Sequence, residues 1–189
     1  METTREDGLI LKRLNRALDA ANEEKILFLF NRMIERQNKS HFAAQSGLNR
    51  VTLYRGFSSD SSPKLETILK ALETLALQFQ CSPRTTGQSP PKEHLRMTAA
   101  LLSDVFATND LEVISRAFGE TVHAQANIAE FSRRISISRM SLYRWIQAGN
   151  ALKFRSILKI TSALGLRLEA AWRSKITQAD CKRHSPRTE

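Results

Sequence analysis

Two short stretches decide how this chain reads: LNRVTLYRGF at residues 48–57 and ISRMSLYRWI at residues 137–146. Sliding the sequence over itself by 89 positions aligns residues 38–79 with 127–168 without a gap. Identical pairs then stand at Phe42/Phe131, Arg50/Arg139, Leu53/Leu142, Tyr54/Tyr143, Arg55/Arg144, Ile68/Ile157, Leu69/Leu158, Lys70/Lys159, Leu75/Leu164 and Leu77/Leu166. Pairs that differ mostly stay apolar, as in Leu48/Ile137, Phe57/Ile146, Leu65/Phe154 and Phe79/Leu168. Such a gapless match is an internal duplication. With a two-residue shift the upstream parts also correspond, LDAANEE (18–24) resembling VFATNDLE (105–112), so a unit of about 75–80 residues occurs twice.

The units are expected at residues 4–81 and 92–173. Residues 82–91, in a stretch rich in Pro, Ser, Thr and Gly, read as a linker, and residues 174–189 as a disordered basic tail without apolar periodicity. Inside each unit the apolar period is helical: Leu11, Leu14 and Leu18, then Ile26, Phe30, Met33 and Ile34, then Leu65, Ile68, Leu69, Leu72 and Leu75. The second copy repeats this with Leu95, Leu102 and Val105, then Ile114, Phe118 and Val122, then Phe154, Ile157, Leu158 and Leu164. Two shorter pieces lie between. Residues 40–46 suit a short helix with Ser40 as N-cap, Gly47 supplies the turn, and Asn49 or Ser138 caps the helix that follows.

Two short helices joined by a tight turn describe a helix-turn-helix, whose second helix enters the major groove if its outward face can read bases or grip phosphates. At about 100° per residue, burying Leu53 brings Phe57 beside it and turns Val51 and Arg55 outward. Leu142 and Ile146 do the same for Met140 and Arg144. Base contacts are therefore expected from Arg50, Val51, Thr52 and Arg55, and from Arg139, Met140, Ser141 and Arg144. Arginine suits guanine or phosphate, and the apolar Val51 and Met140 suit a thymine methyl. Phosphate contacts are expected from Lys39, Ser40, Tyr54 and Lys64 in the first copy, and from Arg133, Arg134, Tyr143, Lys153 and Arg155 in the second. The plainer reading of these arginines is a solvated helix surface. Against it, residues 127–159 hold seven Lys or Arg and one acid, while 38–70 hold five and two, which makes the second copy the stronger expected grip. Tyr54 and Tyr143 lack the Arg/His company of a catalytic tyrosine, and Trp145, standing where the first copy has Gly56, reads as packing.

SHFAAQSGLNRVTLYRGFSSDSSPKLETILKALETLALQF (40–79) resembles the addiction-module antidote proteins, a branch of the Cro/lambda-repressor-like helix-turn-helix group. The shared marks are the G-L turn, the L-Y motif, the S-x-D-x-x-P loop and a closing L-x-L at Leu75 and Leu77, which the second copy extends to A-L-x-L at 163–166. The second copy departs from them, with Ser136 for the turn glycine and QAGNALKF for the loop. The resemblance covers almost the whole chain twice. It implies five-helix units, DNA binding through the helices starting at Asn49 and Ser138 and, for members paired with a toxin, autoregulation of the toxin operon.

Composition agrees with a nucleic-acid partner. The chain has 189 residues, 41% of them hydrophobic, which is ordinary globular material, but a net charge of +10. A polyanion is the expected ligand, nucleic acid before an acidic membrane surface. No apolar run approaches the roughly 20 residues needed to cross a bilayer, and METTREDGLI is too acidic for a secretory signal; a cytoplasmic protein with no membrane partner is expected. Cys81 and Cys181 read as free thiols in mobile segments, the four histidines lack metal spacing, and no nucleotide-binding or zinc-protease motif occurs. No metal, cofactor or enzymatic activity is expected.

Each unit ends in an alternating, β-like segment, residues 76–81 and 165–172. Paired with each other they would make one chain a pseudo-dimer; otherwise they extend the last helix or form coil, and a homodimer remains the other assembly. The expected fold is thus all-α: two tandem five-helix lambda-repressor-like units, each closing on a short strand. The expected function is a sequence-specific double-stranded-DNA-binding regulator, a repressor or autoregulator reading two related half-sites. The rival is an antitoxin- or antiactivator-like protein in which one unit, the first before the second, binds a toxin or an activator. Replacing Arg144 with Ala is expected to cost about 1–3 kcal/mol of specific DNA affinity if the guanidinium meets a base; titration against a selected duplex measures it, and unchanged affinity and site preference would remove Arg144 from the readout.

Overall fold

The computed structural model describes residues 5–58, 61–84, 92–142 and 152–173. They are mostly helical. The first unit holds α1 (Arg5–Asp19), α2 (Glu23–Glu35), α3 (Lys39–Ser46), α4 (Arg50–Gly56), α5 (Leu65–Thr74) and β1 (Leu77–Pro83). The second holds α6 (Glu93–Ala107), α7 (Leu111–His123), α8 (Ile128–Ile135), a helical stretch at residues 139–142, α9 (Phe154–Ala163) and β2 (Leu166–Trp172). The all-α expectation with a closing strand in each unit is met. Ile146 and Trp145 lie outside the described residues, as do Cys181 and the tail from residue 174.

Local chemistry sets most boundaries. Before α2, Ala21 turns left-handed (φ 49°) and Asn22 caps by accepting from Lys25 N; before α7, Asn109 (φ 55°) and Asp110 do the same, Asp110 accepting from Glu112 N and Val113 N. Both pairs are 88 apart, so the upstream offset is one residue short of 89 and not the two inferred from sequence. A left-handed residue followed by a carboxyl or amide cap is a stricter marker than the similarity of LDAANEE to VFATNDLE. The N-cap of α3 is likewise Asn38, not Ser40: its Oδ1 accepts from Ser40 N and His41 N, so the serine amide is among the donors that need capping. Asn49 caps α4 as expected, accepting from Thr52 N at 2.7 Å, and Ser138 Oγ accepts from Ser141 N at 3.1 Å. Gly47 ends α3 at φ 64°; Ser136 ends α8 at φ 52° with no glycine, beside a hydrogen bond from Ser132 Oγ to Ile137 O.

The strands decide the architecture. β1 and β2 pair antiparallel within the chain, from Leu77↔Trp172 through Gln80↔Glu169 to Pro83↔Leu166. Gln80 and Glu169 are themselves 89 apart, so the ladder is symmetric about them. The ladder extends at both ends, Arg84 N donating to Gly165 O and Arg173 N to Ala76 O, each at 2.8 Å. A second crossing obeys the same symmetry: Leu65 N donates to Leu152 O (2.8 Å) and Phe154 N to Pro63 O (3.0 Å), around the bridge Lys64↔Lys153. The two units are thus related by an approximate twofold axis through both crossings.

An isolated two-stranded ribbon is marginal in water, and its outer edges expose unpaired N–H and C=O groups. Here each edge is covered by the first helix of the opposite unit, α1 against β2 and α6 against β1. Asn15 donates to Ala170 O (3.0 Å) and accepts from Ala170 N (2.7 Å). Ser103 Oγ accepts from Cys81 N (2.8 Å) and shares its single proton between Cys81 O (3.1 Å) and Ala99 O (2.7 Å). The strand faces alternate: Leu77, Phe79 and Cys81, and Leu166, Leu168 and Ala170, are all buried. Phe79 crosses into the second unit, stacking on Phe154 at 5.8 Å and meeting Phe106 edge-on at 5.5 Å, with Phe118 beyond. Cys81 is therefore a core residue and not a thiol in a mobile segment; burial, then the Glu169 charge, pushes its pKa up to about 12.

Asn15→Ala and Ser103→Ala each leave a backbone donor and acceptor of a covered strand edge unsatisfied. Each is expected to cost about 1–3 kcal/mol in urea unfolding, and losses within a few tenths of a kcal/mol would mean that water replaces these side chains.

Candidate nucleic-acid interface

Leu53 and Leu142 anchor α4 and the helical stretch at 139–142, at 6% and 4% exposure, while Val51 (58%), Tyr54 (61%) and Met140 (70%) stand in solvent. Arg50, Arg55 and Arg139 are exposed as well, whereas Thr52 and Ser141 are half-buried, Ser141 Oγ lying 2.9 Å from Ser138 Oγ. Tyr143 and Arg144 lie outside the described residues.

The structure gathers the basic groups differently in each unit. In the first, Arg50 Nη2 donates to Ser40 Oγ at 2.8 Å. Lys39 Nζ stands 4.8 Å over the Tyr54 ring and 3.3 Å from Glu35 Oε1. These four candidates share one small cleft of about 70 Å³ with Asn31, Ile34 and Leu53. Lys39 and Ser40 correspond to Ile128 and Ala129 in the second unit, so Arg139 has no matching hydroxyl on the preceding helix. That unit carries its cations on the last turn of α8 instead: Arg133 and Arg134 are exposed, with Arg134 packed 5.3 Å from the Phe131 ring centroid, where the first unit has Ala44 and Gln45.

Lys64 and Lys153 occupy the N-cap positions of α5 and α9 and are both exposed. Their backbones form the second crossing, so the two lysines lie beside the twofold axis. In α5, the Lys70 ammonium bonds the Glu66 carboxylate (2.7 Å) and lowers its pKa, an effect that burial partly opposes. Arg155 is engaged elsewhere. Its Nε pairs across the unit boundary with Glu23 Oε2, Glu23 being only 9% exposed and its other oxygen buried without a partner among the described residues. Sequence reasoning missed this contact because the two residues are 132 apart, and α2 and α9 share no local pattern. Among the described residues no group of His, Cys, Asp and Glu could hold a metal ion, and no helix is long and apolar enough to cross a membrane.

A family model described as "Probable addiction module antidote protein" matches residues 2–83 and again residues 92–172. An uncharacterized protein of Haemophilus influenzae is 34% identical over 67 residues, which span 35% of this chain and 69% of that relative. No solved structure matches.

Arg155→Ala leaves the Glu23 carboxylate buried without its cation. Because the arginine itself is half in solvent, the expected loss is about 1–2 kcal/mol in thermal unfolding without DNA; an unchanged melting curve would restore Arg155 to a role in phosphate contact alone.

Proposed function

The chain belongs to the addiction module antidote family, whose unit it carries twice, and from that premise we propose that it is a non-enzymatic, cytoplasmic, sequence-specific regulator of transcription that binds double-stranded DNA. The observation that carries this reading is the pair of recognition segments related by the twofold axis, each anchored by a buried leucine and each exposing an arginine and an apolar residue, Arg50 with Val51 and Arg139 with Met140. One chain then supplies both hands of a dimeric repressor. Operators read by paired helix-turn-helix units have half-sites about one helical turn, roughly 34 Å, apart.

In this reading Arg50, Val51, Thr52 and Arg55, with Arg139, Met140, Ser141 and Arg144, choose the sequence. Lys39, Ser40, Tyr54 and Lys64, with Arg133, Arg134, Tyr143 and Lys153, hold the backbone. The +10 charge makes affinity fall steeply with salt. The half-sites are related because the arginines repeat, and unequal because Val51 faces Met140 across the symmetry and the phosphate grips lie at opposite ends of α3 and α8.

A second reading is favoured by the family and by the first unit's own contacts. Lys39 and Arg50 are already held by Glu35 and Ser40, which suits a unit converted to bind a protein such as a toxin or an activator. Because each unit's first helix covers the other's strand, the whole chain must be used to separate these cases. Selection from a random duplex pool is expected to return two related half-sites one turn apart. Arg50→Ala/Arg55→Ala should relax one half and Arg139→Ala/Arg144→Ala the other. Arg133→Ala/Arg134→Ala should weaken all duplexes alike and lower the salt slope by about two. A single half-site indifferent to Arg50 and Arg55 would assign the first unit to a protein partner, and no selected motif would end the DNA reading.

A further inference from the structure

The two units diverge in charge on the outer faces of their first two helices. The 88-residue equivalence places Arg13, Arg16, Lys25 and Phe28 of α1 and α2 where α6 and α7 carry Leu101, Asp104, Val113 and Arg116. In the first unit these four residues line one surface cleft of about 310 Å³ together with Leu29. Phe28 is 58% exposed, in a stripe of α2 whose other members, Glu24, Lys25 and Arg32, are charged. Arg13, Arg16 and Lys25 form no ion pair among the described residues. A phenylalanine held in water among three free cations is poised for an apolar, acidic surface.

The second unit presents such a surface. Within this strongly basic chain, residues 93–123 hold five acidic residues and two arginines. Met97 (67% exposed), Leu101 (51%) and Val113 (37%) make its apolar part, and Asp104 and Glu112 are exposed beside them. The arginines are each engaged within their own helix, Arg116 with Glu112 at 2.8 Å and Arg96 with Glu93 at 3.8 Å. An acidic, apolar face is a poor surface for a phosphate backbone.

We propose that these two faces bind each other between copies of the chain: the α1–α2 face of one molecule docks on the α6–α7 face of the next. Phe28 covers Leu101 and Val113 with Met97 beside it, an aromatic anchor on a thioether and aliphatic surface. Arg13, Arg16 and Lys25 meet Asp104, which forms no ion pair among the described residues, and this steers the approach and sets polarity. The occupant is a second copy because the charges complement each other, three cations without an ion pair on one face and Asp104 without one on the other, around apolar groups exposed on both. The approximate twofold places the two faces at symmetry-equivalent positions, so one molecule carries one of each. The contact is therefore heterologous, and it propagates past the dimer into a line, or into a ring where the rotation between copies closes. This inference does not rest on the DNA reading, since the contact forms between free chains.

The test is sedimentation velocity of the whole protein over a concentration series at two salt concentrations, without DNA. Mass should rise with concentration past the dimer, and less so at high salt. Phe28→Ser and Leu101→Ser remove one face each, both substitutions being at exposed positions, and each should weaken self-association about tenfold or more. Mixed, the two variants should form a one-to-one pair that grows no further, because each supplies the face the other has lost. Arg13→Glu should weaken the contact and Asp104→Arg in the same chain should recover it. A protein that stays monomeric at every concentration, a closed dimer that neither variant can complement, or association indifferent to both substitutions would overturn the proposal, whatever the outcome of DNA selection.

Discussion

The antiparallel pairing of β1 with β2 is the constraint on which the rest of the molecule depends. Two seven-residue strands, Leu77–Pro83 and Leu166–Trp172, make too small a ribbon to stand alone. Its stability comes from what the pairing permits: the alternating buried side chains enter both cores, and the outer edges find Asn15 and Ser103 waiting on helices of the opposite unit. Each unit therefore completes the other. A covalent duplication that keeps this exchange has the symmetry of a dimer without needing two chains to meet.

That symmetry also frees the two copies to diverge. At the crossings the backbones remain equivalent, Lys64 pairing with Lys153 and Gln80 with Glu169, although only the first pair keeps the same side chain. Away from the axis nothing forces equality. The Arg155–Glu23 pair exists on one side only, because Arg155 corresponds to Glu66, which bonds Lys70 instead. Phe79 stacks with Phe154, where the reciprocal positions are Leu168 and Leu65, so the aromatic stack beside the ribbon exists on one side only. On the candidate DNA face the same freedom moved the cations from the start of α3 to the end of α8. On the outer helices it made one face basic and aromatic and the other acidic and aliphatic.

Much of the candidate interface was legible locally. Asn49 and Ser138 are short-range caps, and Leu53 with Val51 differ in facing by helical geometry alone, so their burial and exposure follow from a few residues of context. The misreadings share one cause. Ser40 as the cap of α3 and Cys81 as a thiol in a mobile segment each depended on a partner that local pattern does not name, Asn38 in a competing cap and a strand's buried face; the Glu23 carboxylate beside Arg155 was out of reach of local pattern for the same reason. Ser136 is the converse case. The family glycine is absent, yet the turn is made at φ 52°, because the surrounding helices hold the geometry once they are packed.

What the amino-acid sequence determined by itself was the helical period, the duplication, the turns and the outward faces of the recognition segments, all set by interactions within a few residues. Tertiary structure alone decided which strand pairs with which, which helix covers which edge and where the twofold axis runs. Backbone donors and acceptors are alike at every residue, so a short alternating segment states that it needs a partner without stating which. Only when both cores are assembled does one pairing bury Phe79 and Leu168 together with both strand edges, and that joint requirement selects the intertwined pair.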